Sequence, residues 1–319
     1  MPKYFFRATQ SAHNELTKLY DFVWPTSVAM WNLRWQVDGY LRANPDATEK
    51  VLLGRLSDGS NIRGANLKRS CVQHTWEEQS DIFAHLLLFS SIAIFEGWIS
   101  QILSDLQITG QHKKIAYEKG LQFPSATGNH LAAQDVIDEV TSTASRVMTS
   151  CFYPYFQRQR RYRHSTITNL LHCYRYFKEL RNSITHSGGT ATAKTVDAYN
   201  QYLVVATPVG LGVSEPPQHH LVEEGKRPKL SLRGVVGLSD VLLRIMTTLD
   251  AELCRSAKSE RIFEQRWKNE FQEQRLDLPA NTSKRNKRVC GLIEKTGLPR
   301  PLNPEILASF LKTKRLVLF

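Results

Sequence analysis

From Ile82 to Ile99 the chain is apolar at nearly every position, broken by His85, Ser90, Ser91 and Glu96. A run of this length is too long for a strand and, wound as a helix, leaves no side to give to water. It therefore predicts either the central helix of a packed core or a membrane span. The embedded Glu96 and His85, and the lack of a flanking basic cluster, favour the core. Thr75 and Glu78 form a capping box at its start and Ile108-Thr109-Gly110 ends it, which sets a helix over 75–106. A carboxylate in the centre of such a helix needs a cation. Arg181 is the expected partner of Glu96, with His85 as the rival, and a structural pair is favoured over a direct catalytic role for Glu96.

Most of the remaining chain also reads as helix. Residues 11–43 carry Trp24, Val28, Trp31 and Trp35 at helical spacing, with Pro25 near a helix start and Asn44-Pro45-Asp46 as a stop; the tryptophans are expected in the core. Glycines between Leu53 and Ser70 and residues 125–129 read as loops. Residues 132–150, 168–186, 238–253 and 258–275 read as helices, the last with Phe263, Trp267 and Phe271 every four residues. Tyr202 to Val209 is β-rich, and with Lys229 to Val236 it suggests a small hairpin inserted at about 202–236. The chain after Leu276, broken by Pro299, Pro301 and Pro304, reads as irregular. The expectation is a mainly α fold: a helical domain over 75–256, an N-terminal helical extension over 1–74 and a basic C-terminal helical extension and tail over 257–319.

Composition narrows the function. Forty-two Lys+Arg against thirty Asp+Glu give a net charge of +12, which favours a polyanionic partner. Five cysteines at 71, 151, 173, 254 and 290 form no CxxC pair, so neither a disulfide framework nor a zinc site is written, and a cytoplasmic location is expected. Residues 1–16 lack the apolar core of a secretory signal. No phosphate loop, GxSxG elbow, HExxH or EF-hand pattern occurs, His219-His220 lacks carboxylate spacing, and Gly234 to Gly237 is too short for a nucleotide signature. No metal, cofactor or membrane contact is expected.

The positive charge is concentrated. Residues 146–181 hold eight basic residues against one acidic, and residues 257–319 hold fourteen against seven. In the first stretch Phe152, Tyr153, Tyr155, Phe156 and Tyr162 interleave with Arg158, Arg160, Arg161 and Arg163. That composition suits stacking of bases and attraction of phosphates, so Arg158, Arg160, Arg161, Arg163 and Tyr162 are expected to bind RNA, the plainer alternative being core aromatics beside a solvated arginine loop.

The segment with a chemical signature follows. Arg181, Asn182 and His186 close an aromatic-rich helix and precede Ser187-Gly188-Gly189. Arg-to-His spacing alone is cheap, since Arg7–His13, Arg69–His74 and Arg158–His164 match it as well. Context separates the fourth pair: Leu170, Cys173, Tyr174, Phe177, Leu180 and Ile184 share one arc of the helix, and Arg181 falls inside it, where a guanidinium demands an anion. His186, in the last turn, suits a general acid or base. Asn182, four residues earlier on the same face, is placed to orient the imidazole. On a regular helix Arg181 and His186 point roughly 140° apart, so either the final turn unwinds or a second copy of the chain completes the site.

Glu-Leu-Arg-Asn-Ser-Ile-Thr-His followed by Ser-Gly-Gly resembles the motif of HEPN-domain proteins, and the helix around Phe95-Glu96 is similar to the first long helix of that family. The resemblance covers roughly residues 75 to 255. It implies an antiparallel helical bundle acting as a homodimer and a metal-independent endoribonuclease in which Arg181 holds the scissile phosphate, His186 transfers protons and Asn182 orients it. It also implies a toxin or abortive-infection effector in anti-phage defence, with an antitoxin or defence-system protein as partner. The competing expectation is a non-catalytic RNA- or partner-binding module in which Arg181 only pairs with Glu96. A third is a sensor subunit that docks through the basic run Lys284 to Arg288.

Overall fold

Thr75 Oγ1 accepts from the Glu78 amide at 3.1 Å while the Glu78 carboxylate accepts from the Thr75 amide at 2.9 Å, so the central helix begins at the capping box the sequence announces. A computed structural model describes residues 3–126 and 130–319. In chain order it contains α1 (Arg7–Ala43), α2 (Glu49–Leu56), a π-helical turn (Arg69–Gln73), α3 (Trp76–Asp105), α4 (Gln111–Gly120), α5 (Ala133–Thr141), α6 (Arg146–Cys151) and α7 (Tyr153–Gln157). There follow α8 (Ile167–His186), α9 (Ala193–Val205), α10 (Pro208–Leu211), α11 (Leu232–Cys254), α12 (Ala257–Glu270), α13 (Thr282–Lys295) and α14 (Pro304–Thr313). Two short strands, β1 (Leu276–Asp277) and β2 (Val317–Leu318), pair in parallel. The fold is mainly α.

Helices α3, α8 and α11 pack on one another, with α1 against α3 and α11, and α9 along α8. The apolar run of α3 is long enough to cross a membrane by length and composition, and its Leu88, Ile92, Phe95, Ile99 and Ile102 lie buried in this packing. Phe95 meets Tyr174 of α8 at 4.7 Å between ring centroids, and Tyr176 stacks on Tyr202 of α9 at 5.1 Å. Each such buried aromatic contributes about 1.5–3 kcal/mol of burial free energy. One apolar core takes in Phe5 and Phe6 from the N-terminal stretch and Leu307 and Leu311 from the C-terminal one; a small second cluster, Val37, Leu52, Leu67 and Cys71, sits at the far end of α1.

Several elements differ from the sequence expectation. The hairpin at 202–236 does not form. Tyr202 to Val205 form the last turn of α9, with the Tyr202 ring packed on α8, Thr207 caps α10 by accepting from the Gly210 amide at 2.9 Å, and residues 213–231 contain no strand. Tertiary packing outweighs the β-branched composition. Beyond Leu276 the chain is ordered, forming α13 and α14 with the strand pair. The expected helix over 132–150 is divided at residues 142–145, where Ser145 starts α6 by capping the Met148 amide. The loop proposed for 53–70 begins later, since Leu53 to Leu56 end α2; of the loop at 125–129, residues 127–129 lie outside the described residues.

Helix α1 continues through Pro25. Proline removes the hydrogen bond to the Asp21 carbonyl, and both residues lie on the exposed side, where water can solvate that carbonyl. Trp24, Val28, Trp31 and Trp35 share that outer side, Trp35 being 59% exposed. The face that packs inward is instead Ala12, Leu16, Val23 and Val37.

Candidate functional site

Helix α8 carries the candidate residues. Leu170, Leu171, Cys173, Tyr174, Phe177 and Leu180 are buried on its inner face, which leaves Arg181 at the edge of that face with its side chain 22% exposed. One terminal guanidinium nitrogen donates to Glu96 Oε2 at 2.9 Å. The other oxygen of Glu96 lies 2.6 Å from Lys178 Nζ. Glu96 is itself 31% exposed, so the expectation of a carboxylate sealed in the bundle centre is corrected: the α3–α8 crossing leaves it at the margin, open to solvent. Its expected partner, Arg181, is the observed one, and the rival His85 lies 3.6 Å from Asp81 instead.

Around this pair lie groups that sequence reasoning missed. Tyr174 donates to Gln122 Oε1 at 3.0 Å, and Lys178 donates to the same oxygen. Burial pulls the Lys178 ammonium below the usual lysine range, opposed by Glu96, and burial followed by the charge of Glu96 pushes the Tyr174 hydroxyl well up. The signal for Lys178 was present, since it lies three residues before Arg181 and therefore on nearly the same side of the helix; nothing in the sequence pointed to Gln122. The result is one carboxylate shared by two cations, with Arg181 using one of its donors on Glu96 and, among the described residues, no hydrogen bond from the rest. Such a group can hold an anion without being dismantled.

His186 is exposed at the last position of α8, and its imidazole makes no hydrogen bond among the described residues. The helix stays regular through this residue and then turns on Gly188 and Gly189, both with positive φ (62° and 81°). The final turn therefore does not unwind, and within one chain the regular helix leaves Arg181 and His186 roughly 140° apart. Asn182 does not orient the imidazole: its side-chain amide donates to Glu179 Oε2 at 3.2 Å, drawn there because Glu179 is held in place by an ion pair with Arg175. Arg175 in turn lies over the Phe123 ring at 4.2 Å. Glu179 is mostly covered in this arrangement.

The aromatic and arginine segment turns largely inward. Phe152 and Phe156 are buried. Tyr162 donates to Glu252 Oε1 at 2.5 Å, Tyr153 to the same atom at 2.8 Å, and Arg255 pairs with the other oxygen at 2.9 Å. Arg163 donates to the backbone carbonyls of Gly212, Arg160 and Tyr162 at 3.2, 3.0 and 2.7 Å, so it staples the loop after α10. Arg161 lies 3.5 Å from Asp240. Tyr162 and Arg163 are thus structural contacts and are not presented to a ligand. Arg158 and Arg160 are exposed and form no ion pair among the described residues; Arg158 lines a surface cleft with Tyr155, Gln159 and Leu302. The run Lys284 to Arg288 lies on α13, with Lys284, Lys287 and Arg288 exposed. No group of three or more His, Cys, Asp or Glu is placed to hold a metal ion among the described residues.

No protein-family model, curated protein or solved structure matches this chain.

Proposed function

We propose that the protein is a metal-independent endoribonuclease of the HEPN type that its α8 motif resembles, acting in the cytoplasm as a homodimer whose two α8 ends face each other. In this reading Arg181 binds the scissile phosphate and Glu96 acts as a positioning residue that holds one edge of the guanidinium. His186 of the opposite copy transfers the proton. The ribose 2′-oxygen attacks the adjacent phosphorus while the bond to the 5′-oxygen breaks; a proton leaves the 2′-hydroxyl and another is delivered to the 5′-oxygen, giving a 2′,3′-cyclic phosphate and a 5′-hydroxyl end. The observation that carries the reading is Arg181 itself, anchored by a single hydrogen bond to Glu96 and otherwise open, on the same helix whose exposed end is His186. A toxin or abortive-infection effector restrained by an antitoxin or defence-system protein is the corresponding biological role.

RNA cleavage in excess EDTA, lost in both Arg181→Ala and His186→Ala while each variant keeps the wild-type melting temperature, is the expected outcome. Cleavage that appears only with added magnesium would reject the mechanism.

A non-catalytic RNA- or partner-binding module is the second reading. It is favoured by Asn182, which turns to Glu179 and leaves the imidazole without an orienting group. Under that reading wild-type protein binds RNA and cuts none, and His186→Ala changes nothing.

A further inference from the structure

Two arginines of this fold are almost fully buried, and they are satisfied differently. Arg244, 9% exposed, has Asp240 at 2.8 Å. Arg266, 8% exposed, has no carboxylate within 4 Å among the described residues. One nitrogen donates to the Phe5 carbonyl at 2.7 Å, and the guanidinium lies 5.9 Å from the centre of the Phe5 ring. Asp250, the nearby buried acid, already accepts the Phe5 and Phe6 amides at 2.8 and 3.0 Å. A buried guanidinium without a counter-charge is costly, and burial draws Arg266 down to about 10.

Arg266 lines a cleft of about 660 Å³ between the start of α1, the end of α3 and one side of α12. Four further cations line it: Arg7, Lys258, Arg261 and Lys268. None forms an ion pair among the described residues, in contrast to Arg175, Lys178, Arg181 and Arg255 elsewhere in the fold, each of which has a carboxylate partner. Of the two carboxylates lining the cleft, Glu264 is taken by Lys314 at 2.5 Å. Asp105 and the carbonyl end of α3 offset only part of the positive charge that remains. Gln107 and Gln265 add neutral donors and acceptors at the wall.

We propose that this cleft is a binding site for a small phosphate-bearing ligand of mononucleotide size. The volume falls within the range of small-molecule sites; the cations supply what a phosphate takes, with the Arg266 guanidinium as the buried post and Arg7 and Arg261 at the exposed rim. No lining residue lies on α8, so the proposal does not rest on the nuclease reading.

The test is calorimetric titration of the full chain at low salt with AMP, ATP, inorganic pyrophosphate and, as the uncharged control, adenosine. A phosphate compound is expected to bind and adenosine not to. Tighter binding of AMP or ATP than of pyrophosphate identifies a nucleotide; equal binding identifies the phosphate group alone as the recognised part. Arg266→Met removes the buried post but can disturb packing around Phe5. The decisive variant is therefore Arg261→Glu on the exposed rim, expected to weaken binding at least about tenfold with an unchanged melting temperature. Absence of binding by all three phosphate compounds, or binding that Arg261→Glu leaves intact, overturns the proposal.

Discussion

The C-terminal half of α8 and the segment from Tyr153 to Arg163 are built from the same materials, arginines set among aromatics, and use them in opposite ways. In the segment, Tyr153, Tyr162 and Arg255 converge on Glu252, which is 1% exposed, and the Arg163 guanidinium is given over to backbone carbonyls. Charge there is internal mortar. In α8 the carboxylate lies at the margin, shared by Lys178 and Arg181, and both cations stay within reach of water. The difference teaches that the depth of the acid, more than the number of arginines, decides whether the cations of a basic region are drawn into the fold or left open to solvent.

The largest expected effect separates the two regions by activity. His186→Ala should lower RNA cleavage about 10²–10⁴-fold, the usual worth of a general acid or base, while Tyr162→Phe leaves the cleavage rate unchanged; a gel assay of both settles it. Stability should divide the regions the other way. Glu252→Ala takes a buried carboxylate from two tyrosine hydroxyls and from the partly exposed Arg255 and should cost about 1–3 kcal/mol in urea unfolding for each hydroxyl left without a partner. Glu96→Ala, at a solvent-open pair, should cost no more than about 1 kcal/mol. Equal losses would erase the comparison.

A third internal acid adds a pH signature. Burial lifts Asp250 to about 6, against the lowering effects of the Thr9 hydroxyl and the Phe5 and Phe6 amides. A carboxyl raised in the folded state takes up protons on folding between its unfolded and folded values. It therefore favours the fold below about pH 4 and loses that contribution as the pH rises to about 6, at about 1.4 kcal/mol for each tenfold difference in proton affinity between the two states. Wild type should lose stability relative to Asp250→Asn over that window and run parallel above it; a flat difference from pH 4 to 7 would contradict the assignment. The smallest effect concerns RNA affinity. Arg158→Ala and Arg160→Ala should each flatten the dependence of log affinity on log salt by about 0.7 if each contacts one phosphate of a single strand; Lys178→Ala gives the comparison from the α8 side.

Much of α3 and α8 was legible because helical periodicity carries direction. The capping box at Thr75, the apolar arc of α8 and the meeting of Glu96 with Arg181 all follow from residues whose azimuth is fixed once the helix is assumed. The Tyr153–Arg163 segment consists of a short helix and turns, so its composition did not say which arginines point inward. Asn182 departs from expectation for a related reason: its spacing to His186 is right, but Glu179, three residues back, competes for the amide and wins. The exposed stripe of Trp24, Trp31 and Trp35 shows the same limit, since periodicity finds a stripe without saying which of two faces a long helix turns to its neighbours. The Arg266 cleft was not legible at all, because it gathers α1, α3 and α12 from three distant parts of the chain.

The composite site is the central claim, and mixing two dead variants tests it. Arg181→Ala and His186→Ala protein, unfolded together and refolded in equal amounts, should form mixed dimers in which one site unites an intact Arg181 with an intact His186 from the other copy. Random pairing about a two-fold axis then restores about a quarter of wild-type cleavage. A mixture as inactive as its components would contradict the account.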